Sequence, residues 1–138
     1  VFPPAVAHRV LTHPSHSLAK HGSNNNLSFV GRRVLDCYLN LFLASSAELR
    51  PSHNVAEICA KTLKSAFLGE QIGMRWGYNK IMQWTPAVGL KQLNESENPE
   101  TVIRRIGLFG VQGDAVEATI GAIYMEFVRR LVLDRVLC

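Results

Sequence analysis

Asp114 and Glu117 stand three residues apart in the run Gly113-Asp114-Ala115-Val116-Glu117-Ala118-Thr119-Ile120-Gly121-Ala122-Ile123-Tyr124. On a helix that spacing puts both carboxylates on one face. The other sides of the same helix are apolar and small. Two carboxylates on a rigid, mostly buried element are unfavourable unless a cation meets them. The candidates are a metal ion, a pair of metal ions held together with a nucleic acid, or a side chain of this protein. The plain alternative is an acidic pair near a helix N-terminus, favoured there by the helix dipole.

The elements that must position these acids read as helices throughout. Pro3-Pro4 opens a short helix through Val6 and Val10, which His13-Pro14 ends because proline cannot continue it. Residues 17–26 are polar and read as a loop. A long helix follows from about Asn26 to Ser46, with Leu27, Val30, Val34, Tyr38 and Leu41 in one stripe and Leu35, Leu39 and Phe42 in a second. A helix apolar on most sides is expected to be central and buried. Residues 55–68 give one amphipathic helix, and a shorter helix or turn carries Ile72, Trp76 and Tyr78. Residues 85–98 read as a polar surface loop. Asn98-Pro99 then matches an N-cap followed by proline in the first helical position. The acids lie on a helix over about 111–125, and a basic amphipathic helix runs from Phe127 to Val136. Convincing strands are missing, so the fold class is all-α.

The chain has 138 residues, enough for one domain with a proper core. With 47% apolar and 19% charged residues it is neither disordered nor membrane-like. No apolar run approaches the ~20 residues that span a bilayer. Fifteen basic against 11 acidic residues leave a net charge of +4, which permits a polyanionic partner without demanding one. Cys37, Cys59 and Cys138 have no metal-ligand spacing, and the first two read as reduced core cysteines. The chain begins at Val1 without methionine, signal peptide or transit peptide, which fits either a processed protein or a fragment.

The run from Gly113 to Tyr124 resembles the second signature of the ribonuclease III catalytic domain. Leu11-Thr12-His13-Pro14-Ser15 is similar to the LTHxS segment that opens that domain. The run Leu27-Ser28-Phe29-Val30-Gly31-Arg32-Arg33-Val34-Leu35-Asp36 is similar to its signature helix, usually L-E-F-L-G-D-A-V-L-D. The three matches come in family order and cover nearly the whole chain. The resemblance implies a single helical domain over 1–138 with the ribonuclease III endonuclease-like fold. It also implies dimerisation and four carboxylates that hold magnesium against the scissile phosphate of double-stranded RNA. Two cations ~4 Å apart repel each other, so several anionic oxygens must hold them.

The match departs from the family at the carboxylates. The signature glutamate falls on Ser28 and the signature aspartate on Arg32, while Asp114 and Glu117 remain. The formal charge of the four positions changes from about −4 to about −1. Ser28 and Arg32 are still one turn apart and face the same site. Arg32 brings a permanent cation to a metal position. Pairing of Arg32 with Asp114 or Glu117 is therefore expected, with no metal, no cofactor and no catalytic residue.

Further readings rest on the same resemblance or on local pattern. Phe29 matches a position where an aromatic side chain enters the partner subunit, with core packing as its plain alternative. Arg104, Arg105, Arg129, Arg130 and Arg135 are candidate RNA contacts, although a solvated helix face explains any one of them equally well. Trp76, Tyr78 and Trp84, with Arg75 and Lys80 between them, could stack on bases but read more readily as packing. The five histidines read as polar loop residues. Past the Ile123-Tyr124 pair the family's glycine turn is absent, so two helices fuse or residues are missing.

No double-stranded RNA-binding domain follows before Cys138. The expectation is a degenerate ribonuclease III domain kept for binding. Members that have lost catalysis are structural proteins of the mitochondrial large ribosomal subunit, and in fungi two occur as a pair. The chain resembles the fungal one that is little more than the nuclease-like domain. Ribosomal RNA, other large-subunit ribosomal proteins and a second ribonuclease III-like protein as heterodimer partner (or a second copy, as homodimer) are the implied partners, in the mitochondrial matrix. A working double-stranded RNA endonuclease and a pure protein-interaction module are the alternatives.

Overall fold

The computed structural model describes residues 2–87 and 98–136, the side chains of residues 105, 134 and 136 apart. Seven α-helices carry it: α1 Pro4–Leu11, α2 Asn25–Ser45, α3 Val55–Thr62, α4 Ser65–Leu68, α5 Tyr78–Ile81, α6 Pro99–Ile106 and α7 Leu108–Val136. A 3-10 turn, Ser17–His21, lies inside the expected loop at 17–26, and a π-helical turn, Gly69–Gly73, extends α4. Among the described residues there is no strand, only an isolated bridge between Thr12 and Gln83. The fold is all-α, and no helix among the described residues is long and apolar enough to cross a membrane.

The central helix is α7. Ala115, Val116, Ala118 and Ala122 are each at most 2% exposed, because neighbours cover α7 on nearly every side over this stretch. Leu68 and Tyr78 pack on Ala115 and Val116, with Leu11, Leu35, Ile72 and Met82 around them. Val10 packs on Ala118 and Ala122, with Phe2, Val6 and Leu27. The two helices expected at 111–125 and 127–136 are one, since nothing between them breaks a helix. Beyond Ala122 that helix emerges from the core, and Ile123, Tyr124, Met125 and Phe127 are exposed.

α2 crosses α7 so closely that only glycines fit. A Cβ on Gly31 would stand 1.8 Å from the Glu117 carbonyl oxygen, and one on Gly121 would stand 2.0 Å from that of Leu27. This crossing brings Arg32 over the acidic motif. The rest of α2 departs from the expectation of a buried helix: Gly31 is its one fully buried residue. Phe29, Tyr38, Leu41 and Phe42 are all more than 60% exposed. Cys37, expected in the core, is exposed on this same face, whereas Cys59 is buried. The apolar stripes of α2 are real, but each meets the rest of this chain only in part: Leu27 and Leu35 pack on the core, while Tyr38, Leu41 and Phe42 stay exposed.

The amphipathic segment 55–68 is two helices, because Lys64 is extended (φ −64°, ψ 125°) between α3 and α4. The break accompanies a close tertiary contact. Gly113 of α7 packs against the Ser65 backbone, where a Cβ would lie 1.8 Å from the carbonyl oxygen. An unbroken helix would not present Ser65 to α7 in this way. Most of the surface loop expected at 85–98 lies outside the described residues.

Candidate functional site

Three elements bring the site together: α2 supplies Arg32, α4 supplies Ser65 and α7 supplies Asp114 and Glu117. Glu117 is 2% exposed. The Arg32 Nε donates to Glu117 Oε1 at 3.1 Å, and the Arg32 Nη2 lies 3.1 Å from the same oxygen. Nη2 also donates to the Ser65 hydroxyl, which in turn donates to Glu117 Oε1 at 3.3 Å. The question left open by sequence is thus answered in favour of Glu117. Burial pushes the Glu117 carboxyl above its ordinary value, and the Arg32 hydrogen bond and charge oppose that rise. The charge of Asp114 adds to the rise, and the Ser65 hydrogen bond works against it.

Asp114 has a different partner. The His13 Nε2 lies 3.5 Å from its Oδ2. His13 is held from behind by the bridge to Gln83, whose carbonyl accepts from the His13 backbone N–H at 2.9 Å. The fully buried Thr12 hydroxyl lies 3.1 Å from the Gln83 side-chain oxygen. The His13 Nδ1 accepts from the Ser15 backbone N–H at 3.1 Å. A backbone N–H can only donate, so in neutral His13 the proton is on Nε2, facing Asp114. His13 lies outside any helix, as expected of a loop histidine, whereas His8 lies within α1.

Ser28, at the position of the family's glutamate, turns away from the acids: its hydroxyl donates to the Asn25 carbonyl at 3.0 Å. This is the local back-bonding that serines make near helix starts. Each remaining carboxylate faces a cationic or proton-bearing side chain, and the Ser28 position supplies a hydroxyl engaged elsewhere instead of a carboxylate. Among the described residues no group of three or more His, Cys, Asp or Glu converges as a metal site.

The remaining candidates are dispersed. Phe29 is 63% exposed, so ordinary packing in its own core is excluded. The Arg33 guanidinium lies over its ring, 5.4 Å from the centroid. Arg129 donates two hydrogen bonds to Glu126, at 3.0 and 2.6 Å, and Arg130 lies 3.5 Å from the same carboxylate. Arg104 is engaged with Glu100 at 3.2 Å and Glu70 at 3.7 Å. Arg135 is exposed, and the Arg105 side chain lies outside those described. Tyr78 is buried and hydrogen-bonded to Thr119, so it packs rather than offering a face to bases, while Trp76 is 47% exposed against its edge.

The sequence model of the ribonuclease-III-like family matches residues 3–132. The chain belongs to this family. The fold agrees: the crystal structure of the nuclease domain of ribonuclease III from Campylobacter jejuni superposes with a TM-score of 0.63 at 21% identity, over 97% of this chain and 84% of that one. No curated protein sequence matches the chain.

Ribonuclease III domains use divalent metal, and the residues here do not fit one. A guanidinium stands 3.1 Å from the most buried carboxylate oxygen of the site, where a cation would bind. Two members of this arrangement were missed from sequence. His13 lay within the quoted LTHxS segment but was not connected to Asp114. Ser65 carried no signal, since its place depends on the break between α3 and α4.

Proposed function

We propose that this ribonuclease III-like domain binds without cleaving, as a structural constituent of the mitochondrial large ribosomal subunit. In this reading it contacts ribosomal RNA and neighbouring large-subunit proteins, and a second ribonuclease III-like chain is its dimer partner. One observation carries the loss of catalysis: the Arg32–Glu117 pair occupies the cation position of a site that has lost two of its four carboxylates. A carboxylate already neutralised by a fixed guanidinium has little to offer a magnesium ion, which would have to displace it. The ribosomal and mitochondrial assignments rest on the resemblance of the sequence.

The uncovered face of α2 supports the dimer. Phe29, Val34, Tyr38 and Leu41 with Tyr124 of α7 line an open groove of about 440 Å³. Exposed apolar patches of this kind, rimmed by polar residues, mark protein interfaces. A second ribonuclease III-like chain, presenting its own signature helix, would cover it.

Incubation with double-stranded RNA and magnesium is the test. No cleavage is expected at any magnesium concentration. Cleavage that is abolished by Asp114→Asn would overturn the reading. For the assembly, the tagged protein is expected to co-purify with large-subunit ribosomal RNA; recovery with a single partner protein and no RNA would leave only an interaction module.

A further inference from the structure

Arg32 has a second side. Its Nε and Nη2 meet Glu117 and Ser65, but Nη1 makes no hydrogen bond among the described residues, and the side chain is 54% exposed. It opens onto a cavity of about 740 Å³ between α2, α3 and α4. Three cationic side chains line this cavity, Arg32, Arg33 and Lys64, against one lining carboxylate, Asp36; Arg32 is also paired with Glu117, and the Arg33 guanidinium lies over the Phe29 ring. They come from two elements, α2 and the link between α3 and α4, so they approach the space from different sides. Ser65 and Asn40 add neutral polar groups.

The chemistry favours one ligand class. A divalent cation would meet an excess of positive charge, three cations against the Asp36 and Glu117 carboxylates. A purely apolar ligand would desolvate them without compensation. A phosphate oxygen suits a guanidinium fork, and ammonium groups hold phosphate as point charges. The buried Glu117 behind Arg32 fixes the guanidinium's orientation, so little ordering remains to be done when an anion arrives.

We propose that this cavity is a metal-independent phosphate site, where Arg32, Arg33 and Lys64 hold a phosphate group of RNA directly. The substitution of a metal ligand by Arg32 then has a positive role: it replaces a metal bridge to phosphate with a direct contact. The source of the phosphate rests on the RNA-binding reading above, whereas the site itself does not.

Two probes separate these levels. Binding of a short RNA duplex to the full chain is measured with excess EDTA and with magnesium, as a function of salt. Inorganic phosphate is titrated separately, with the Ser65 and Ala66 amide signals followed by NMR. Equal RNA affinity with EDTA and magnesium is expected. Arg33→Ala and Lys64→Ala are each expected to weaken RNA binding several-fold and to flatten the slope of log affinity against log salt by about one. Phosphate is expected to move the two amide signals in the wild type and not in Lys64→Ala. Both substitutions are at exposed or cavity-lining positions, so folding is retained even if Arg32→Ala fails to fold. RNA binding that needs magnesium, or that neither substitution changes, overturns the site while the RNA-binding reading stands. Phosphate binding without RNA binding keeps the site and removes RNA as its source. No response to either probe overturns both.

Discussion

The two faces of α2 differ in composition and in fate. The face toward α7 carries Gly31 and Arg32 and closes directly on Glu117. The outer face carries Phe29, Tyr38, Leu41 and Phe42, all larger and more apolar, and remains exposed. Leu27 and Leu35 pack on the inner side, yet hydrophobicity alone did not choose the buried face. The glycines did, by letting two backbones approach within a distance that no side chain permits. The inner face then became the place where a charged pair is held, and the outer face was left uncovered by this chain.

The comparison predicts where the chain is most fragile. Gly31→Ala should have the largest effect, because its new Cβ would meet a backbone oxygen at 1.8 Å and backbone cannot rotate away. The helices must separate, and a loss of about 3 kcal/mol or more is expected in urea unfolding. A loss below about 1 kcal/mol would show that the crossing is not set by this contact.

Arg32→Ala comes next. It leaves Glu117 buried without its cation, a change expected to cost about 1–3 kcal/mol near neutral pH, moderated because Arg32 itself is half exposed. The pH dependence gives the sharper reading. Glu117 already has a raised pKa, so its folded form holds a proton more tightly than the unfolded chain does. Its favourable contribution is therefore fully present below the ordinary value of 4.5 and is lost as pH rises through the raised value. Removing Arg32 removes the main force opposing that rise. The gap between Arg32→Ala and wild type should widen from acid to neutral pH, and a gap independent of pH would mean that the pair is not what is lost.

Glu117→Gln should have a smaller effect, within about 1 kcal/mol at neutral pH, since it removes a buried charge and keeps the shape. Relative to wild type it should gain stability as pH rises above 4.5, where the wild-type carboxyl begins to bear its desolvation cost. Urea midpoints at a series of pH values would show it. A loss growing with pH instead would mean that the ion pair outweighs burial.

Much of this site was legible because its parts lie within short motifs. The i, i+3 spacing put Asp114 and Glu117 on one face and the signature-helix register brought Arg32 to it, whereas Ser28 turned its hydroxyl to the Asn25 carbonyl. Which acid met Arg32 was not legible: both share a face, and the register of the Gly31 crossing against Glu117 decided it. Ser65 was hidden for a related reason. The segment 55–68 has an unbroken helical pattern, and the break at Lys64 accompanies a close approach of the Ser65 backbone to Gly113 on a distant helix. His13 reached Asp114 through a loop pinned by Thr12 and Gln83, and loop geometry has no periodicity to read. Cys37 and the outer stripe of α2 misled the expectation of a buried helix, because apolar spacing reports that a face will be covered without reporting by which chain.

That last point yields the smallest stability effect and the clearest test of the two faces. Leu35 packs against the core of Leu68, Ala115 and Val116, so Leu35→Ala should destabilise the isolated chain by about 2 kcal/mol. Leu41, six residues further along the same helix, is 61% exposed, so Leu41→Glu should change its stability by no more than about 0.5 kcal/mol. Association with a partner should show the reverse order. A glutamate in the middle of the outer groove would have to be desolvated without a counter-charge, and the dimer should weaken at least tenfold, by about 1.4 kcal/mol, in sedimentation or size-exclusion measurements. If Leu41→Glu instead unfolds the chain and spares association, the outer face belongs to this chain's own core. If Leu35→Ala weakens association without lowering stability, the division between the two faces is wrong at its root, because the same helix would then be turned the other way.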